Sequence, residues 1–204
     1  SERVFKVFDT DEFIPDSGSV SKPTLKGDIE FKDVWFAYND EEWVLKDISF
    51  KMKEGQTIAF VGATGAGKSS VINLLSRFDE YQKGQITIDG EDIQNLPLED
   101  VRKHVAVVLQ DVFLFSDSIL NNITLYDKSI SRERVIEAAK AVGAHSFIMR
   151  LPGDYDYDVK ERGGMLSVGQ RQLLAFNRAY VYNPSILVLD EATSSIDTES
   201  EELI

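Results

Sequence analysis

Gly62-Ala63-Thr64-Gly65-Ala66-Gly67-Lys68-Ser69 fits the pattern G-x-x-x-x-G-K-[ST], a phosphate-binding loop wherever a strand precedes it and a helix follows. Thr57-Ile58-Ala59-Phe60-Val61, a β-branched and aromatic run after Gly55, reads as a buried strand. Ser69 to Phe78 sets Val71, Leu74, Leu75 and Phe78 at helical spacing. The glycines let the backbone curl until several N–H groups converge on one anion, and the helix adds its positive end. Lys68 then reaches the β- and γ-phosphates of a nucleotide, and the Ser69 hydroxyl completes a Mg²⁺ shell. Ser70 closes the loop.

A second chemical anchor lies far along the chain. Ile186-Leu187-Val188-Leu189 is an apolar strand ending in Asp190-Glu191. An acid at the carboxyl end of a core strand sits at the edge where α/β proteins bind ligands. There Asp190 holds Mg²⁺, as the Walker B aspartate does, and Glu191 orients or deprotonates an attacking water. Alone, an apolar run before two acids is as ordinary as the start of a solvated helix. Paired with the loop, it becomes half of a site.

The elements that must position these groups follow from periodicity. Ile29, Phe31, Val34, Phe36 and Tyr38 alternate as a strand, and so do Ile48, Phe50 and Met52 within Leu45 to Met52. Gln85 to Ile88 runs into Asp89-Gly90, a hairpin-type turn. Val105 to Leu109 reads as a buried strand of the continuous apolar kind. Between Ser116 and Ala144 the pattern is helical, with Ser131 as an N-cap and Glu133 and Arg134 in the first turn. Asp154 to Gly164 is a charged loop, Val168 to Tyr182 a helix, and Ser185 to Leu189 a buried strand. The fold class is α/β: a P-loop core with a mixed or parallel sheet, an N-terminal antiparallel β subdomain, and a mostly helical insertion over about 111–182. Ser1 to Phe8 reads as a helix end and the polar stretch Asp9 to Lys26, with Pro15, Gly18 and Pro23, as a linker, so that residues 1–27 together form the linker region ahead of the domain.

Composition narrows the function. The 204 residues include no cysteine, which excludes disulfides and thiolate metal sites. A net charge of −13 argues against a non-specific nucleic-acid surface, which needs clustered lysine and arginine. No apolar run approaches the roughly 20 residues that span a bilayer, and no signal peptide opens the chain.

Leu166-Ser167-Val168-Gly169-Gln170, after Glu161-Arg162-Gly163-Gly164 and continuing through Arg171-Gln172 into the Walker B strand, resembles the signature segment of ABC-transporter ATPase domains. The likeness runs from about Asp28 to the end of the chain. Val168 departs from the commonest family form, which has glycine there. The resemblance implies ATP with Mg²⁺ on residues 62–70, adenine against Tyr38, and Gln110 as the loop glutamine that contacts Mg²⁺ and senses nucleotide. It also implies head-to-tail pairing with a second such domain, identical or not. Ser167, Gly169 and Gln170 of one copy then meet the phosphates held by the other, and Asp197 links the two sites. Asp111-Val112-Phe113-Leu114-Phe115-Ser116 and Glu161 resemble the exporter type, whose ATPase domains work on transmembrane helices from the cytoplasmic side of the membrane. The family's switch histidine follows Asp197, whereas His104 and His145 both precede Walker B. The chain is therefore expected to be a piece of a longer transporter, binding nucleotide but turning it over poorly by itself. A soluble, non-transport ABC-type ATPase is the rival reading, and a catalytically degenerate regulatory half a third.

Overall fold

The computed structural model describes residues 14, 16, 18–39, 42–63, 65–160 and 163–190, so the expected helix over residues 1–8 lies outside it. The chain divides between Arg102 and Lys103 into two compact units.

The first unit is built on an antiparallel sheet of order β2-β1-β3-β4, comprising β1 (Ile29–Ala37), β2 (Trp43–Met52), β3 (Lys83–Ile88) and β4 (Glu91–Asp92). Phe31 of β1 stands opposite Phe50 on one side and Ile86 on the other. The Phe31 and Phe50 rings stack at 4.5 Å. Strict alternation would turn Val34 and Phe36 to the face opposite Ile29 and Phe31. A bulge at Asp33, in the left-handed region at φ 51°, inserts one residue and returns all four to the core. Gly84 makes room for it, since a Cβ there would stand 2.3 Å from the Asp33 carbonyl oxygen. Asp89 and Gly90, at φ 51° and 77°, join β3 to β4 in the expected tight turn.

Helix α1 (Lys68–Leu75) buries Val71, Leu74 and Leu75 as its spacing predicts, but ends three residues before Phe78. Arg77 adopts the left-handed conformation at φ 49°, and the Phe78 N–H reaches back to the Asn73 carbonyl at 2.8 Å. That is a Schellman closure, and it leaves Phe78 exposed rather than on the buried face. Thr57 to Val61 corrects the reading more strongly. It is irregular, and Val61 is 95% exposed. A buried strand needs a ladder partner, and among the described residues of this unit none pairs with it.

The expected linker is docked over its described part. The Asp16 carboxylate accepts from the Leu98 N–H at 3.0 Å, heading helix α2 (Leu98–His104). The Val20 N–H donates to the Asn95 carbonyl, and the Asp100 carboxylate accepts from the Ser21 hydroxyl and the Lys22 N–H. The Asp89 carboxylate gathers the Lys26, Gly27 and Asp28 N–H groups at 2.6, 3.1 and 2.9 Å.

The second unit pairs β5 (Val105–Val108) in parallel with β6 (Ile186–Leu189) and surrounds a helical core. Its helices are α3 (Ile119–Thr124), α4 (Arg132–Ala141), α5 (His145–Ile148) and α6 (Val168–Tyr182). Ser118, Ser131 and Ser167 each accept a backbone N–H at a helix start, Ser131 where the sequence places a cap. Ile119, Ile123, Val135, Ile148, Leu173 and Leu174 are buried together. The strands are less covered than continuous apolar runs predict: Val105, Val108 and Ile186 are buried, whereas Leu109, Leu187 and Leu189 are exposed. A ladder of two strands cannot cover both its faces. Burial pushes the Tyr155 phenol up to about 12, with the charge of Asp154 adding to it and that of Arg132 opposing. The Tyr155 hydroxyl lies 2.8 Å from His145 Nδ1.

Helix α6 buries two amide side chains, Gln172 and Asn177, whose polar atoms have no partner among the described residues. The Asn177 side chain is wholly buried. A lone buried polar group costs about 1–3 kcal/mol. Asn177→Ala is therefore expected to raise Tm by a few degrees, since about 1 kcal/mol moves Tm by roughly 2–4 °C at this chain length. Calorimetric scanning checks this, and a lower Tm contradicts it.

Candidate functional site

In the first unit the phosphate loop approaches α1 through a backbone that only glycine takes easily. Gly65 and Gly67 stand at φ 84° and 86°, and Gly67 caps the helix from the left-handed region. A Cβ on Gly67 would also lie 2.6 Å from Leu45 Cδ2, so β2 packs directly under the turn. At Gly65 a Cβ would meet open space. Gly67→Ala is thus expected to destabilise by about 2 kcal/mol or more, the left-handed penalty plus displacement of Leu45. Gly65→Ala should incur only the penalty of about 1–2 kcal/mol. Denaturant unfolding of both variants checks the difference, and equal losses would refute the packing argument.

The Lys68 ammonium folds back onto the loop, donating to the Gly62 carbonyl at 2.6 Å and the Ala63 carbonyl at 3.1 Å. An ammonium has three donors, so these bonds commit two of them. Gly62, Ala63, Gly65, Ala66 and Ser69 are exposed, while Ser70 is buried. Thr64 lies outside the described residues. The Ser70 hydroxyl lies 3.1 Å from the Tyr38 hydroxyl, which brings the expected adenine-stacking ring beside the first turn of α1. That ring is 54% exposed and meets Phe36 edge-on at 4.7 Å, leaving a face open to a flat ligand.

Two residues that sequence reasoning missed shape this half. Leu45 sets the floor under Gly67. The Gln82 side chain imitates a ladder partner, accepting from the Ala37 N–H and donating to the Ala37 carbonyl, both at 3.0 Å. It fixes the end of β1 just before Tyr38. No local pattern announces a side chain acting as backbone.

In the second unit the register pairs Val108 with Leu189, and the Asp190 N–H continues the ladder to the Val108 carbonyl at 3.0 Å. Gln110 and Asp190 therefore leave the same carboxyl edge of one parallel pair, as the sequence predicts. Both side chains offer oxygen donors. Among the described residues no three acidic or histidine side chains cluster as a metal cage. That donor set fits Mg²⁺, which takes one or two carboxylates and completes its shell with water and phosphate oxygens. Glu191, Asp197 and Glu161 lie outside the described residues.

Ser167 and Gln170 form a reciprocal capping box: the Gln170 N–H donates to Ser167 Oγ at 3.1 Å, and the Ser167 N–H to Gln170 Oε1 at 2.9 Å. The first N–H groups of α6, at Val168 and Gly169, thus face outward at the positive end of a helix about 22 Å long. Val168 is half-exposed at the first helical position. Upstream, Asn122 clamps the turn after Gln110, accepting from the Phe115 N–H and donating to the Phe115 and Ser118 carbonyls. Arg178 reinforces it from α6 through the Asn122 carbonyl at 2.9 Å.

The family model described as ABC transporter matches residues 45–194, from the floor of the phosphate loop to beyond Asp190. The chain belongs to the ABC transporter family. Among relatives of this ABC chain, a probable multidrug resistance ABC transporter ATP-binding/permease protein (YheH) of Bacillus subtilis is 45% identical over 202 residues, covering 99% of this chain and 30% of the relative. An ATP-dependent lipid A-core flippase of Saccharophagus degradans is 46% identical over 204 residues, covering 100% of this chain and 35% of the relative. The solved structure of a bacterial Atm1-family ABC exporter with ATP bound superposes with a TM-score of 0.91 at 38% identity, over 100% of this chain and 36% of that one. The fold is that of the family's nucleotide-binding domain, and the chain spans about a third of the length of these proteins. Among the described residues no helix is long and apolar enough to cross a membrane.

Proposed function

We propose that this chain is the ATP-binding and ATP-hydrolysing domain of an exporter, acting on the cytoplasmic side of a membrane through transmembrane helices elsewhere in the protein. The observation that carries the reading is the phosphate loop itself, curled at Gly65 and Gly67 with the Lys68 ammonium held at its mouth. Such a loop needs little reorganisation to receive a triphosphate, which is where electrostatic preorganisation gains most. The Bacillus subtilis relative, an ATP-binding/permease protein, supports the link to transport.

In this reading Gly62 to Ser70 binds the phosphates and Tyr38 supports adenine. Ser69, Gln110 and Asp190 hold Mg²⁺, which when bound neutralises charge on the phosphate oxygens. Glu191 accepts the proton of the attacking water, and Lys68 stabilises charge on the transferring group. Two copies close head to tail. Ser167, Gly169 and Gln170 of one then complete the phosphate site of the other, with Asp197 between the sites. No nucleic-acid partner is involved.

Because the chain has no cysteine, paired thiols can report this closure. Ala63→Cys together with Val168→Cys, in an intact protein free of other thiols, is expected to cross-link between copies with MgATP and not without nucleotide. Cross-linking indifferent to MgATP would refute the head-to-tail arrangement.

A further inference from the structure

Helix α1 has only eight residues, so whatever fixes its far end also aims its phosphate-binding end. That far end is fixed by Arg77. Its side chain is almost wholly buried, and it donates from Nη1 to the Leu96 carbonyl at 2.6 Å and from Nε and Nη2 to Glu80 at 3.2 and 2.9 Å. The Arg77 carbonyl in turn accepts from Arg102 at 2.9 Å, and the Arg102 guanidinium lies 5.2 Å from the Phe78 ring.

Leu96 is gripped from its other side by the docked segment. Gly18 lies so close that a Cβ would stand 2.3 Å from the Leu96 carbonyl carbon and the Pro97 nitrogen. Val20 bonds Asn95, Asp16 bonds Leu98, and Ser21 and Lys22 bond Asp100. One short stretch, 95–100, is thus held between residues 16 and 18–22 on one side and the end of the phosphate-loop helix on the other. We propose that Arg77 is a positioning residue through which docking of Asp16 and residues 18–22 sets the affinity of the phosphate loop for MgATP. This rests on the nucleotide reading above. It gives the segment that enters the domain a direct mechanical hold on the helix that grips the γ-phosphate end of the nucleotide.

The test measures MgATP dissociation constants and Tm in the intact protein. Gly18→Val forces the segment off the Leu96 main chain without touching α1. It is expected to weaken MgATP about five-fold, within the usual range for coupled neighbours. It should also speed amide exchange over Ser69 to Leu75 but not over β1. In an Arg77→Lys background, the same Gly18→Val change is expected to have no further effect on affinity. Unchanged affinity with only a lower Tm would overturn the proposal, as would a full five-fold effect persisting in the Arg77→Lys background. If Arg77→Lys does not fold, Glu80→Gln replaces it in the cycle, with the same two outcomes. Failure of the unmodified protein to bind MgATP would instead overturn the nucleotide reading itself.

Discussion

Glu191→Gln is expected to lower kcat for ATP hydrolysis by about 10²–10⁴-fold in the intact protein while leaving MgATP affinity within about two-fold, the range for loss of a positioned general base. The ladder bond from the Asp190 N–H to the Val108 carbonyl keeps the chain in register to the last residue before Glu191. Asp190 thus stands at the carboxyl edge that also carries Gln110. Glutamine keeps the size and hydrogen-bonding reach of glutamate but cannot take a proton. Binding and turnover should part company, in the pattern of an interaction made only in the transition state. Steady-state turnover beside equilibrium binding checks this; near-normal turnover would remove Glu191 from the role.

Lys68→Ala is expected to act on the ground state instead, raising the dissociation constant for MgATP by about 100-fold. Charge-assisted bonds contribute about 1.5–3 kcal/mol each, and about 1.4 kcal/mol is a decade of affinity. The same change should barely alter stability. Among the described residues the ammonium bonds to the loop's own carbonyls, on Gly62 and Ala63, and water can replace it at both exposed residues. Calorimetric titration with a parallel Tm measurement separates the two effects. An unaltered dissociation constant, or a large fall in Tm, would contradict the assignment.

Much of this was legible in the sequence because local chemistry and tertiary packing agree. The alternation from Ile29 to Tyr38 marks β1, though not the bulge at Asp33 that changes its parity between Phe31 and Val34. Asp89-Gly90 demands a hairpin-type turn, and Ser131 caps the helix that follows it. Gln110 and Asp190 were placed at strand ends, and parallel pairing brings those ends to one edge. What was not legible depends on partners that a local pattern does not contain. Thr57 to Val61 has strand composition, but hydrogen-bonding neighbours, not composition, make a strand. Phe78 keeps helical spacing, yet the closure at Arg77 ends the helix first. Proline, glycine and serine made residues 9–26 read as a linker. Their composition hides that the bonds of the docked part run through main-chain amides and short carboxylates. Gln82 and Leu45 act through geometry alone.

The carboxylate of Asp89, receiving three successive amides, has a practical corollary for handling the protein. Polar, proline-bearing stretches near domain entrances are where proteases usually nick first. Here the scissile bond after Lys26 lies between residues whose N–H groups are already held by that carboxylate, so trypsin must wait for a local opening event. Limited digestion would then report how often this entrance strap lifts, offering a clock for its motion without any label.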